Sequence, residues 1–395
     1  MKSNQSLKKG FWGVVYREIS MMRQKHLLMW LSIFLPLISF LFFTSLFSKG
    51  VATDLPVVVV DRDGSSLSRK MTKMVDNTQA MKVAFKETNL LDAKRHLYEG
   101  DAYGILFIDE GFSKDIYKGI APRVVGYYNN AYLLPGGLVN KGLTTVVKTF
   151  AAGLNIQGNL RKGQNETQAL ISTVPLSLDT HIWVNPTTNY FYYLVTSLLP
   201  VMLQIFVVMC TVYAIGTEFR DRTSTEWLEM TDGNMLIALA GKLTPYFGIF
   251  SIVGFFMNTL LFKMFQVPVI GSLTFVNIGL LVMILADMGV GILFLCLNPS
   301  LRMAMSFSSF YGAVAFSFSG LTFPFHSMPS LAVYMSKLWP FSHYLDLLLG
   351  QVFRGASPLD SLLPIGSMLI FLLIPFAFRG KLKRVCLEEK FWGRL

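Results

Sequence analysis

Charged residues are scarce in this chain of 395 residues: only 15% are Asp, Glu, Lys or Arg, against about 25% in a typical soluble domain. Cysteine is also rare, and its three copies, Cys210, Cys296 and Cys386, do not suggest a disulfide framework. Hydrophobic residues make up 52% of the chain, and the mean hydropathy is +0.48. This composition excludes a disordered chain and argues against an ordinary soluble enzyme.

The sequence also lacks the motifs of common catalytic and metal sites. It contains no G-x-x-x-x-G-K-[ST] phosphate loop, no H-E-x-x-H zinc motif and no G-x-S-x-G elbow. Its five histidines are scattered and do not pair at metal-binding spacing. We therefore expect no catalytic residue, no cofactor and no metal site on this chain. If the protein moves something uphill, a partner or an ion gradient must supply the energy.

Long apolar runs indicate helices that cross a membrane, because about 20 apolar residues span the hydrocarbon core. The first run covers residues 27–47, and it is too long and too deep in the chain for a cleaved signal peptide. Five further runs crowd into residues 189–378. They are Tyr190–Ile215, Leu236–Phe262, Leu273–Leu297, Met303–Phe323 and Ser361–Phe378. Residues 325–358 are interrupted by prolines and polar residues, and we expect re-entrant or interfacial helices there.

Basic residues flank the apolar part of the chain and predict its orientation. Residues 1–26 carry six Lys or Arg against Glu18 alone, and the tail 379–395 carries six against two Glu. Since Lys and Arg collect on the cytoplasmic side of a membrane, we expect both termini there, which also explains the net charge of +11 without nucleic acid. In residues 1–26, Phe11, Val15, Ile19 and Met22 form one stripe of an amphipathic helix on the inner membrane surface.

Residues 48–188 are polar and patterned as a folded α/β domain outside the cytoplasm. Strands are predicted at Val57–Val60, Met81–Phe85, Gly104–Ile108 and Val124–Tyr128. Helices are predicted after Ser65 or Ser66, after Asn89 and from Leu138 onward. The predicted fold is thus a membrane α-helical protein with six transmembrane helices, both termini cytoplasmic, and an extracytoplasmic α/β domain inserted between helices 1 and 2.

Polar residues inside the predicted spans are candidates for a role in transport or packing. Asp287 is near the middle of its run, where an unpaired carboxylate costs several kcal/mol. It is either a proton or substrate site or a residue at a helix contact, which the neighbouring Gly289 and Gly291 would permit. Gln204 and Asn258 are expected to form hydrogen bonds between helices. Lys242, near the loop end of its span, is expected to snorkel to the membrane surface and has no further predicted role.

Three segments resemble the ABC-2 type transporter permeases, in the subgroup with a large domain between the first two spans. The loop Gly216-Thr-Glu-Phe-Arg-Asp-Arg-Thr-Ser-Thr-Glu-Trp-Leu-Glu229 is similar to that family's cytoplasmic loop, with Ser224 in place of the usual Gly. Ser319-Gly320-Leu-Thr-Phe-Pro324-Phe-His-Ser-Met328-Pro329 is the most specific match. Trp339-Pro340, His343, Tyr344, Asp346 and Arg354-Gly355 resemble the closing pattern before the last span.

The resemblance implies a multi-pass permease subunit of the bacterial inner membrane. A separate cytosolic ATPase would bind ATP and Mg²⁺, and a second permease copy or a paralogue would complete a dimer in the lipid. A periplasmic adaptor and an outer-membrane channel are further partners that such an exporter can use. Loop 216–233 would carry the coupling helix that contacts the ATPase. The residues assigned to that contact are Glu218, Arg220, Asp221, Arg222, Glu226, Trp227, Leu228 and Glu229.

Export of a drug, lipid or polymer is the function that this resemblance implies, and two alternatives stay open. One is a membrane scaffold or receptor whose outside domain binds a partner, which would need no ATPase. The other is a proton-coupled carrier that uses Asp287.

Overall fold

The computed structural model of the chain describes residues 9–163, 165, 167, 168, 185 and 188–392. The chain divides into two compact units. The first combines Met1–Gly50 with Val184–Leu395, and the second is Val51–Trp183. Most of the last part of the predicted domain 48–188, from residue 169 to residue 184, lies outside the described residues, as do residues 1–8 and 393–395.

The first unit is helical, and five of its described helices are long and apolar enough to cross a membrane. We number these spans 1 to 5 in chain order. They are His26–Leu46, Phe191–Arg220, Met235–Met264, Leu273–Leu297 and Pro358–Leu387. The prediction of a multi-pass helical membrane protein is therefore confirmed, whereas the number of crossings and the side of each terminus stay predictions.

The predicted span Met303–Phe323, the fifth of the six in chain order, is not a continuous helix of that length. The helix there covers Leu301–Ala315, which is 15 residues long and shorter than the roughly 20 that a bilayer requires. The chain then turns through residues 316–323, and Gly320 adopts a left-handed conformation with φ of 82°. This backbone conformation is not helical, and it suits glycine here because a Cβ at Gly320 would collide with the Phe325 ring.

Short helices, rather than one more span, fill residues 325–358. They follow one another in the order 3-10 helix Phe325–Ser327, α-helix Ser330–Ser336, α-helix Pro340–Leu349 and π-helix Gly350–Arg354. The prolines at 324, 329 and 340 each stand at a helix boundary, where the missing N–H costs no hydrogen bond. The sequence prediction of interrupted helices is confirmed, and their placement in the membrane stays a prediction.

The second unit is built on a four-stranded mixed sheet of described strands. The strands are β1 Leu55–Asp61, β2 Met81–Glu87, β3 Gly104–Ile108 and β4 Val124–Tyr128. Their order in the sheet is β2-β1-β3-β4. β1 is parallel to both β2 and β3, and β4 is antiparallel to β3. Its helices are Ser66–Asp76, Leu90–Glu99, Phe112–Tyr117 and Leu133–Arg161.

Local signals explain why these elements begin and end where they do. The Ser65 hydroxyl accepts a hydrogen bond from the Ser68 N–H at 3.1 Å, and Asn89 accepts one from the Leu91 N–H at 3.0 Å, so both predicted N-caps are confirmed. Gly100 ends the second helix in a left-handed conformation. All four strand predictions are confirmed, and the short helix Phe112–Tyr117 was not predicted, because six residues give too little periodicity.

Candidate functional site

The N-terminal helix Phe11–Gln24, which we call α1, packs against span 3 rather than lying free. Its buried side chains are those of Val14, Val15, Glu18 and Met22, while Ile19 is 41% exposed. The helix is confirmed, but its predicted stripe is rotated. Glu18 is buried in place of Ile19, because residues of the protein interior form hydrogen bonds with its carboxylate.

Those partners belong to span 3. The Lys242 ammonium donates to Glu18 Oε2 at 2.5 Å, and the Tyr246 hydroxyl donates to Glu18 Oε1 at 2.6 Å. Lys242 and Tyr246 are one helical turn apart and therefore face the same way. The Lys242 side chain is fully buried, so the prediction that it snorkels to the membrane surface is wrong.

Span 2 contributes the second carboxylate, Glu218. It accepts a hydrogen bond from Lys242 at 2.7 Å and two from the Arg17 guanidinium, at 2.7 and 2.8 Å. The Thr223 hydroxyl donates to the same carboxylate. Two carboxylates thus face two cations, and the group of Arg17, Glu18, Glu218 and Lys242, which we call the charge cluster, has no formal net charge.

The charge cluster is buried, so the loss of any one of its charges should strongly reduce the stability of the protein. Glu18, Glu218 and Lys242 have no exposed side-chain surface, and Arg17 has only 13%. Burial alone would lower the pKa of the Arg17 guanidinium, but the hydrogen bonds and charge of Glu218 raise it above its usual value. Removing one member of such a group leaves an unpaired buried charge, which costs about 3–5 kcal/mol.

A second, more exposed group of charges also connects α1 to the end of span 2. Lys25, just after α1, donates to Asp221 at 2.7 Å, and Arg220 bonds the same carboxylate at 2.7 Å. Partial burial would raise the pKa of Asp221, but the hydrogen bonds from Arg220 and Lys25 lower it below its ordinary value. Both ends of α1 are therefore tied to the loop region, since Gly10 N–H also donates to the Met230 carbonyl at 2.7 Å.

The loop between spans 2 and 3 carries a short helix, Ser224–Glu229, which we call the loop helix. Its Trp227 side chain is fully buried, donates to the Ala238 carbonyl at 3.3 Å and lies under the Lys242 ammonium, 5.4 Å from the ring centre. Ser224 donates to the Cys386 carbonyl of span 5 at 2.9 Å. The loop helix is thus joined to spans 3 and 5 and to the charge cluster.

The opposite side of the loop helix is exposed. Arg222, Glu226 and Glu229 are exposed, and Asp232 follows with 83% of its side chain exposed. Glu226 and Glu229 are three positions apart and share one helical face. The exposed face is therefore mainly acidic, while the other face is held by the protein's own core.

The eight residues predicted to contact a partner fall into three groups in the structure. Three of them, Glu218, Trp227 and Leu228, are buried within the chain and have almost no surface that a partner could contact. Arg220 is half-buried and shares Asp221 with Lys25, whereas Arg222, Glu226 and Glu229 face outward. Sequence reasoning does not find four further residues of the site, because the partner of each is distant in the sequence. They are Arg17, Glu18, Lys242 and Tyr246.

Gln204 and Asn258 both form hydrogen bonds between elements, although not with each other. Gln204 Oε1 accepts from the Phe341 N–H at 3.2 Å, which satisfies a free donor in the first turn of helix Pro340–Leu349. Asn258 donates to Asn277 of span 4 at 2.7 Å.

Asp287 is fully buried in span 4, and neither of its carboxylate oxygens has a hydrogen-bond partner among the described residues. The neighbouring glycines lie at close helix contacts, as predicted. A Cβ on Gly289 would lie 2.6 Å from the Phe371 carbonyl, and one on Gly291 would lie 2.9 Å from Thr211. The packing is therefore tight on both sides of an unpartnered carboxylate.

The residues singled out between 320 and 346 have local structural roles. Gly320 supplies the left-handed turn, and Pro324, Pro329 and Pro340 mark helix boundaries, with Met328 between two of them. The His343 ring contacts the Lys337 carbonyl at 3.1 Å, and Asp346 pairs with Arg354 at 2.6 Å on the surface.

One group of possible metal ligands lies in the second unit, where donor atoms of His96, Glu99 and Asp101 come within 4.8 Å of one another. The His96 ring stacks on Phe85 with centroids 4.1 Å apart and contacts Glu87 at 3.2 Å. These contacts account for the position of His96 at the end of its helix.

Comparison with known families gives a match over most of the chain. A family model described as "ABC-2 family transporter protein" covers residues 26–378, from the start of span 1 into span 5. The match begins after α1, so Arg17 and Glu18 lie outside it. A comparison with curated proteins finds no match.

Proposed function

The chain belongs to the ABC-2 family of transporter proteins, and on that premise we propose that it is the permease subunit of an ATP-binding cassette exporter. A separate cytosolic subunit would hydrolyse ATP, and the substrate, a drug, lipid or polymer, would move outward across the bacterial inner membrane. The absence of a phosphate-loop motif in the sequence supports this division of labour. A second permease copy or paralogue would complete the path, and a periplasmic adaptor with an outer-membrane channel would extend it.

The single observation that carries the proposal is the two-sided loop helix. Its inward face, with Trp227, is packed under Lys242, and its outward face presents Glu226 and Glu229. A helix that is exposed on one side and firmly packed on the other suits an element that receives a push and passes it on. Its acidic surface fits a basic groove on the ATPase, because complementary charge sets the register of an interface.

The charge cluster would transmit that movement. It joins α1, span 2 and span 3 through hydrogen bonds of 2.5 to 2.8 Å, and these three helices are therefore expected to move as one rigid body. Closing of the ATPase on ATP would tilt this body, while its hydrogen bonds stay intact. We assign Glu226 and Glu229 to contact with the ATPase, and Arg17, Glu18, Glu218 and Lys242 to transmission.

Site-specific photo-crosslinking in native membranes tests the proposal. A photoreactive residue placed at Glu226 or Glu229 should capture a protein that mass spectrometry identifies by its ATP-binding cassette sequence. The same residue placed at Tyr334, which is 69% exposed on helix Ser330–Ser336, is the control and should not capture it. Capture of no ATP-binding protein from either loop position, at full expression, would contradict the proposal and favour the scaffold alternative.

A further inference from the structure

An open apolar groove of about 580 Å³ runs between α1 and spans 3, 4 and 5. The span 3 side is formed by Leu236, Ala240, Leu243 and Phe247, which are spaced to lie on one helical face. On span 5, Leu372 and Phe376 line the groove. Its volume falls in the range of small-molecule sites, and its walls carry few polar groups.

A second cavity, of about 450 Å³, adjoins the groove, because Leu236 lines both. Its lining includes Arg379 and Lys383 of span 5, together with Asp232 and Asn234 at the start of span 3. A Cβ on Gly233 would lie 3.4 Å from the Lys383 ammonium, so this side chain reaches the loop. The end of the groove at Leu236 is therefore basic as well as polar.

The basic residues of this end are available. Neither Arg379 nor Lys383 forms an ion pair or hydrogen bond with any described residue, and both are exposed. Asp232, the acidic residue of the cavity, lies 3.8 Å from Lys9 and is itself highly exposed. Two cations without an ion-pair partner among the described residues thus face a cavity whose one lining carboxylate, Asp232, pairs with Lys9.

Along both span 3 and span 5, the lining of the groove changes from apolar at one end to basic or polar at the other. On span 5, Leu372, Phe376, Arg379 and Lys383 share one helical face, and the sequence changes along that face from apolar to basic. On span 3, Leu236 lies at the basic end and Phe247 lies three turns deeper. The groove along the spans is thus apolar, and two cations, Arg379 and Lys383, lie at its mouth, which is the end at Leu236.

Exposed aromatic residues lie beside the mouth of the groove. Phe11 of α1 lines the groove, and Trp12 and Tyr16 of the same helix are 65% and 63% exposed. Exposed Trp and Tyr side chains collect at the boundary between lipid and water. Basic pockets between spans at this depth recognise anionic headgroups.

We propose that this site binds one anionic phospholipid, with its phosphate at Arg379 and Lys383 and an acyl chain in the groove between spans 3 and 5. Such a lipid would bridge α1 and the two spans that hold the loop helix. The proposal does not depend on the ATPase partner, because it concerns only the chain and its membrane.

Native mass spectrometry of the purified full chain tests the site, with phosphatidylglycerol as the probe and phosphatidylcholine as its zwitterionic reference. Wild-type protein should retain phosphatidylglycerol preferentially. The variant R379Q/K383Q should lose this preference by roughly thirtyfold, because each of the two cations at an anionic surface contributes about 1 kcal/mol and about 1.4 kcal/mol is a factor of ten. The matched control K381Q/R384Q removes the same charge from the same helix, outside the cavity, and should keep the preference.

A second pair of variants tests the acyl-chain groove. Ala240→Trp should fill the groove and reduce retention of both lipids, whereas Ile252→Trp, at a position of span 3 that is 71% exposed and outside the groove, should not. Three outcomes would overturn the proposal. These are equal retention of both lipids by the wild type, loss of preference in K381Q/R384Q, and competition by soluble glycerol 3-phosphate as strong as that by phosphatidylglycerol.

Discussion

The Lys242 ammonium lies 2.5 Å from Glu18, a residue 224 positions earlier in the chain. This ion pair joins the N-terminal helix to the loop end of span 3, and Glu218 of span 2 completes it from the other side. Because the pair is fully buried, it couples the positions of three helices that the sequence separates widely.

Replacing Lys242 with Met should strongly destabilise the protein. Glu18 and Glu218 would be left with one cation between them, and the free energy of unfolding is expected to fall by about 3–5 kcal/mol. Thermal unfolding of the purified protein measures the effect. Lys263→Met, at an exposed position of the same span, is the matched control and should unfold like the wild type.

The double variant Lys242→Met/Glu18→Gln separates charge balance from simple loss of packing. It removes one cation and one anion, so Arg17 and Glu218 stay paired, and part of the lost stability should return. A double variant as unstable as the two single losses added together would show that charge balance is not what holds the cluster.

Gly241 allows α1 to approach span 3, and Ala in its place should loosen that contact. A Cβ at Gly241 would lie 2.9 Å from both the Phe11 carbonyl and Val14 Cβ, so Gly241→Ala should lower the melting temperature. Gly248 is on the same helix with nothing within 4 Å of a Cβ. Gly248→Ala should therefore leave the melting temperature unchanged or raise it, because Ala favours a helix over Gly by roughly 0.5–1 kcal/mol. Equal shifts in both variants would contradict the close contact.

The ion pair of Asp221 with Lys25 predicts that the protein loses stability at low pH. The pKa of Asp221 is lowered in the folded protein, so its stabilising effect is complete above the ordinary Asp pKa of about 3.9 and is lost as the pH falls through the lowered value. Asp221→Asn should therefore reduce stability at pH 7 and remove this part of the decline below about pH 4. Melting temperatures of both proteins across that range are the measurement, and identical pH profiles would refute the role of Asp221.

Asp287→Asn distinguishes ATP-driven export from proton-coupled transport. An Asn side chain has nearly the same shape and needs no partner for a charge, so the folded protein should be at least as stable as the wild type. Transport should continue in vesicles whose proton gradient has been dissipated, provided that ATP is present. Abolished transport in the variant, together with dependence on the proton gradient in the wild type, would instead support the carrier alternative.

Local features of the fold could be predicted from the sequence, and long-range pairing could not. The strand Val57–Val60 and the caps at Ser65 and Asn89 are written in neighbouring residues, and the structure contains them. Five apolar runs form helices long enough to be spans, but the helix in the run Met303–Phe323 ends at Ala315, and the chain then turns through Gly320, where a Cβ would meet the Phe325 ring.

The candidate site shows the same limit. Its loop could be found from its motif and charge, whereas Glu18 and Lys242 each looked like a surface charge at the end of an apolar segment. Their pairing depends on how α1 packs against span 3, and apolar periodicity carries no information on which charged residue meets which. Burial then reversed the assignment of Glu218, which was predicted at an interface and lies inside the charge cluster.

Co-elution of the ATP-binding cassette subunit with the loop variant Glu226→Lys/Glu229→Lys tests the central claim most directly. Both residues are exposed, and neither forms a hydrogen bond or ion pair with a described residue of the charge cluster, so the variant should fold. Its melting temperature should fall only slightly, because the charge of Glu226 favours the Arg17 guanidinium. In size-exclusion chromatography, the wild-type chain should carry its ATPase and hydrolyse ATP, and the variant should elute without it. A variant that retains the ATPase and its full activity would contradict the assignment of the loop helix as the site where the energy of ATP enters this protein.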